Sequence, residues 1–190
     1  KLTELRKDKV EMLSTIYSML CIFLGNPPET FNWQVRDKKK KFIRINDLTP
    51  IEFYKKHVNI KLQDKVCLIH APMSNKKMNE LYTVSYLGNV VDGQIIKYAN
   101  IEMKYIKKAT IKSLQNKEAV WFGCDVSKYL HRTHGVMDTQ LFDFELFYGT
   151  SFSLNKASRL EYGESKMTHA MLFTGVDLDS NGNPKKWRFE

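Results

Sequence analysis

An α+β fold is predicted for this chain of 190 residues, and three observations predict it. Apolar residues recur at spacings of three and four near the N-terminus and again after Met103, the period of amphipathic helices. Several short runs alternate polar and apolar residues between turn-forming Gly, Asn, Asp and Pro, the period of half-buried strands. The helical segments stand apart from these strands instead of alternating with them, so the expected sheet is antiparallel. At 43% hydrophobic and 12% aromatic, with no internal repeat or low-complexity linker, residues 1–190 read as one domain. The start, Lys1-Leu-Thr-Glu-Leu, has neither an initiator Met nor the regions of a signal peptide and reads as an interior segment, and the last strand-like run ends inside its hairpin, so the domain is expected to be partial, truncated at both ends.

The elements follow in order. Val10, Leu13, Tyr17, Leu20 and Leu24, widened by Ile16 and Phe23, place one apolar stripe on a helix from Leu2 to about Leu24, and Gly25-Asn-Pro-Pro28 stops it. Two alternating runs, Phe31–Val35 and Phe42–Ile45, flank Arg36-Asp-Lys-Lys-Lys-Lys41 and predict a hairpin whose tip is that charged run. Thr49-Pro-Ile-Glu52 is a capping box with Pro at the first helical position, and it opens a short helix to about His57. Strand-like runs are expected at 65–69, 81–86 and 94–98. A second amphipathic helix covers Met103 to Leu114, with Ile106, Ala109, Thr110 and Leu114 on one face and four lysines mostly outside it. Glu118–Gly123 predicts a buried strand, and Thr139–Phe147 a short helix lined by Leu141, Phe144 and Phe147. Thr168–Val176 and Lys185–Glu190 predict two strands joined across the turn residues 177–184.

Charge and composition bound the function. Lysine and arginine outnumber aspartate and glutamate, for a net charge of +9, so the surface field attracts polyanions or acidic substrates. The lysine run reads as a hydrated hairpin tip, with nucleic-acid binding as the competing reading. The longest apolar segment, Met19–Leu24, falls far short of the ~18 residues of a membrane span, so no membrane insertion is expected. Three widely spaced cysteines, Cys21, Cys67 and Cys124, fit a reducing, intracellular setting, and the histidines, His131-x-x-His134 included, lack the partners of a zinc site. No cofactor or metal is expected.

His169 is the candidate catalytic residue. Alternation places it with Met171 and Phe173 on one strand face, so the imidazole is expected at the open end of an apolar row, partly desolvated, which suits a general base. Cys124 is the tempting nucleophile, between Gly123 and Asp125, yet a thiolate needs a neighbouring base or a helix N-terminus, and an adjacent aspartate raises the thiol pKa. Cys124 therefore reads as structural, as do Cys21 in mid-helix and Cys67 in mid-strand. His131 and His134 flank a turn and read as exposed.

Five blocks, Cys21–Trp33, Thr49–Tyr54, Leu81–Val84, Glu118–Val126 and Gly163–Met171, resemble in order the bleomycin hydrolase and aminopeptidase C branch of the papain-like cysteine peptidases. The resemblance implies a partial papain-like fold whose sheet half carries the catalytic histidine, and the Thr168-His-Ala-Met171 block assigns that role to His169. Trp187–Glu190 resembles the residues that lead into the family's histidine-orienting asparagine, and the nucleophilic cysteine and its oxyanion glutamine find no match in these residues. The activity implied is hydrolysis of N-terminal peptide bonds and amides through a thiolate–imidazolium pair. Peptides with free N-termini, assembly as a cytoplasmic homohexamer and loose binding of nucleic acid are implied with it. A basic nucleic-acid-binding module, or a piece inert on its own, is the alternative.

Overall fold

The computed structural model describes residues 1–58, 60–88, 90 and 93–190 and falls into two compact units, 1–62 and 63–190. In the first unit, α1 (Leu2–Leu24) has the extent that the three-four spacing predicts. Its C-terminal Gly25 adopts φ +85°, a region nearly closed to side chains, and its N–H closes the last turn on the Cys21 carbonyl. The stripe stays exposed, with Leu13 at 53% and Leu20 at 50%, and Cys21 alone is half-buried.

The hairpin β1 (Phe31–Arg36) and β2 (Phe42–Leu48) pairs Trp33 with Ile45 and Val35 with Ile43, which puts the apolar side chains on one face. At its tip the Asp37 carboxylate accepts the Lys39 and Lys41 N–H groups at 2.8 and 2.9 Å, and Lys38 to Lys41 are exposed. The capping box forms in full at the start of α2 (Pro50–His57). Thr49 accepts the Glu52 N–H at 3.2 Å, while Glu52 accepts the Thr49 N–H at 3.0 Å and is held below the usual carboxylate range mainly by that backbone bond. Phe53 from α2 meets Trp33 edge-on at 5.1 Å and Phe31 at 5.7 Å, and His57 stands 4.4 Å from Trp33. With Leu48, only 3% exposed, these rings make the core of the unit.

The second unit holds two three-stranded sheets. In the first, β3 (Cys67–Ile69) runs parallel to β5 (Tyr98–Asn100), and β4 (Glu80–Tyr82) pairs antiparallel to β5 on its other side. The parallel pair departs from the antiparallel set expected, and β5 lies later than the 94–98 segment. Asn100 explains the position of β5. Its side chain is fully buried, accepting the Ala71 N–H at 2.8 Å and donating to the Ala71 and Lys77 carbonyls at 3.0 and 3.1 Å. The strand sits where it satisfies the loop that follows β3. Cys67, expected inside a strand, is the exposed first residue of β3.

Next, α3 (Met103–Gln115) packs against the second sheet, whose strands run in the order β10-β9-β6 and are wholly antiparallel. Ile106, Thr110, Ile111 and Leu114 are covered, whereas Ala109, expected on that face, is exposed. Thr110 is tolerated in a buried position because its hydroxyl donates to the Ile106 carbonyl at 2.9 Å. Strand β6 (Val120–Cys124) ends this sheet among the described residues, and its alternate side chains face outward, with Trp121 72% exposed, which corrects the expectation of a buried strand. A small hairpin, β7 (Leu130–His131) and β8 (Val136–Met137), and the helices α4 (Phe144–Tyr148) and α5 (Lys156–Glu161) come before β9 (His169–Leu178) and β10 (Pro184–Phe189). Of these, α4 forms only the last part of the helix expected at 139–147 and runs on to Tyr148, whereas β7, β8 and α5 were not expected.

Candidate active site

The site is built at the end of the β10-β9-β6 sheet. β6 pairs with β9 so that Val120 faces Phe173, Phe122 faces Met171 and Cys124 faces His169. In an antiparallel ladder, partners point to the same side, so two rows of three residues share one face. Phe122 and Phe173 stack in parallel with centroids 3.6 Å apart, Trp187 adds a ring 5.1 Å from Phe173, and Met171 is 8% exposed. His169 is the next residue on this face and the first of β9.

Its environment differs from the one expected, because His169 is exposed and not partly desolvated. On the β10 side, Leu172 and Glu190 exchange both backbone hydrogen bonds, at 2.8 and 2.9 Å. Among the described residues, no strand flanks His169 and Ala170 on that side.

The backbone that carries it is tied down on the other side. The Thr168 N–H donates to the Cys124 carbonyl and the Thr168 hydroxyl accepts the Val126 N–H, each at 3.0 Å. Ahead of them, the Ser165 N–H bonds the Arg159 carbonyl at 2.9 Å, and Lys128 holds Glu164 by both its carbonyl and its carboxylate, the latter at 2.7 Å. That bond holds the Glu164 carboxyl below its usual range. At Gly123 the side chain of Met167 lies where a Cβ would have to be, so the segment lies close against β6.

Cys124 is the cross-strand partner of His169, a proximity the sequence did not reveal. Its chemistry still argues against a nucleophile. Burial, and then the charge of Asp125, push the thiol above its ordinary value, so it stays protonated at neutral pH. Cys21 lies in the first unit, and Cys67 is the exposed first residue of β3, in the other three-stranded sheet of the second unit. His131 and His134 flank the β7–β8 turn with ring centroids 4.5 Å apart. Among the described residues, no three His, Cys, Asp or Glu side chains form a group that could hold a metal ion.

A second cluster escaped sequence reasoning. Lys156, at the start of α5, places its Nζ 2.9 Å from His70 Nδ1, just after β3, and the pair is half-buried. The cue was local: Asn155 caps α5 through the Ser158 N–H at 3.0 Å, an N-cap signature that marks a helix start. Burial, and then the Lys156 cation, push the His70 imidazole below its ordinary value, with Glu102 opposing, so Lys156 donates to a neutral ring. For a base whose folded pKa is depressed, the unfolded chain takes up the proton first. The stability contributed is present above the ordinary imidazole value of about 6.5 and is lost as pH falls through the lower folded value. Thermal unfolding followed by circular dichroism should therefore show Tm falling as pH drops from 7.5 to 5, and His70→Asn should flatten that fall. An unchanged slope in the variant would assign the fall to other groups.

The model of the Peptidase C1-like family matches residues 1–190. The chain is 47% identical over 184 residues to bleomycin hydrolase of Homo sapiens, an alignment covering 94% of this chain and 40% of that protein. It is 43% identical over 182 residues to aminopeptidase C of Listeria innocua, covering 96% of this chain and 41% of that protein. The crystal structure of PepW from Lactobacillus rhamnosis HN001 superposes with a TM-score of 0.92 at 41% identity, covering 100% of this chain and 42% of that one. The chain thus spans about two fifths of the length of these relatives.

Proposed function

Because the chain belongs to the Peptidase C1-like family and has a partial papain-like fold, we propose that it is the histidine-bearing part of a cysteine aminopeptidase of the bleomycin hydrolase type. The observation that carries this reading is His169 itself, an imidazole at the end of an apolar row, on a backbone tied to β6 by Thr168.

In the reaction, His169 takes the proton of a cysteine thiol supplied by residues outside this chain. The thiolate attacks the amide carbonyl, the imidazolium protonates the departing amine, and an acyl thioester forms. Water, deprotonated by the same imidazole, then hydrolyses the thioester and regenerates the thiol. Cys124, half-buried and with its thiol pKa raised, takes no part. The ladder supports an orienting partner as well. Glu190 pairs with Leu172, so a residue next along an unbroken β10 would stand opposite Met171, on the face of His169, where an amide oxygen could fix the ring. On family likeness alone we extend the reading to substrates with free N-termini and to a cytoplasmic homohexamer.

The test is cleavage of a fluorogenic aminoacyl amide by the full-length protein. Hydrolysis is expected, abolished by alkylation of thiols and by acetylation of the substrate's N-terminus. Hydrolysis that survives thiol alkylation, or none at all, would overturn the proposal.

A further inference from the structure

His169 is the first residue of β9, and strand ends fray, yet a general base has to hold its ring in one place. Beyond the Cys124–His169 rung the two strands do not simply part. The Thr168 N–H reaches the Cys124 carbonyl at 3.0 Å, and the next main-chain donor on the β6 side, the Val126 N–H, is received at 3.0 Å by the Thr168 hydroxyl in place of a backbone carbonyl. Val126 is only 6% exposed, so water has little access to replace that acceptor. A side chain thus continues the ladder by one rung past its end, directly before the histidine.

We infer that Thr168 is a positioning residue for His169: its hydroxyl, acting on the backbone and not on substrate, holds the end of β9 against β6 and so fixes the origin of the imidazole. Two features of the residue suit this. Its β-branch leaves few χ1 rotamers, which keeps the oxygen aimed at one donor, and the hydroxyl can accept from Val126 and donate elsewhere at once. The inference rests on the peptidase reading of His169 given above.

Thr168→Val keeps the shape and removes the acceptor, whereas Thr168→Ser keeps the acceptor. In the full-length enzyme, acting on a fluorogenic aminoacyl amide, Thr168→Val should lower kcat about tenfold to a hundredfold with little change in KM, the scale on which small misplacements of a catalytic group act. Thr168→Ser should recover most of the rate. Equal rates in the wild type and Thr168→Val would overturn the inference, as would a loss seen in KM alone or an equal loss in both variants. Should Thr168→Val not fold, hydrogen exchange at the Val126 amide of the wild type decides: slow exchange supports the tie, and exchange as fast as an open loop overturns it. Failure of the peptidase reading shows separately, as full activity in a His169→Ala enzyme.

Discussion

Replacing His169 by Ala in the full-length protein should lower kcat/KM for an aminoacyl amide by about 10³-fold or more, the scale of a lost general base that also helps form the thiolate. Stability should scarcely change, because the side chain stands at the first position of β9 and makes none of the bonds that fasten this sheet end. Steady-state kinetics beside thermal unfolding separate the two effects: a rate lost at constant Tm is chemistry, and a rate lost with Tm is folding. Cys124→Ser is the matched control. Its thiol faces His169 across the ladder but is kept protonated by burial and by Asp125, so the variant should stay close to wild-type rate. If Cys124→Ser were inactive and His169→Ala active, the assignment of roles would be reversed.

Asn100→Ala should be the most damaging substitution for stability among those considered, by about 3 kcal/mol or more in urea unfolding, since several buried groups lose their partners together. The side chain is fully buried and makes three hydrogen bonds to the main chain at Ala71 and Lys77. Alanine would leave those groups unpaired at a position fully shielded from solvent. Asn100→Asp tests the bonding pattern: it keeps the acceptor for the Ala71 N–H but has no N–H to donate to the two carbonyls, so it should also destabilise. A loss below about 1 kcal/mol for Asn100→Ala would show that the 70–79 loop is fastened by other contacts. Glu161, which accepts the Ser74 N–H at 2.7 Å, and the Lys156–His70 bond are the nearest candidates.

Local features of this chain were legible from the residues. The helix at 2–24 follows from its three-four spacing, the start of α2 from Thr49-Pro-Ile-Glu52, and the hairpins β1–β2 and β9–β10 from alternation around turn residues. In each case the cause lies within a few residues of its effect: a stripe, a cap or a turn. α5 has the local cue of Asn155 at its N-cap, but no apolar period accompanies it over six residues. The site was legible in part. Thr168-His-Ala-Met171 marked His169 by family likeness, and the disadvantage of Cys124 as a nucleophile followed from Asp125 beside it.

Other features depend on residues distant in sequence. The parallel pairing of β3 with β5 follows from Asn100 reaching the loop after β3, 29 residues away. Lys156 meets His70 across 86 residues, and Val126 reaches Thr168 across 42. Trp121 stays exposed because no described segment covers its side of β6. Periodicity says which side chains share a face, because that is a property of one strand. Whether a face is covered depends on which other segment lies against it. The sequence alone therefore determined those elements whose cause is local and singled out His169 as the candidate, while the tertiary structure decided that Cys124 stands opposite it and that Thr168 ties its strand, since burial and hydrogen bonding sum over neighbours that only folding brings together.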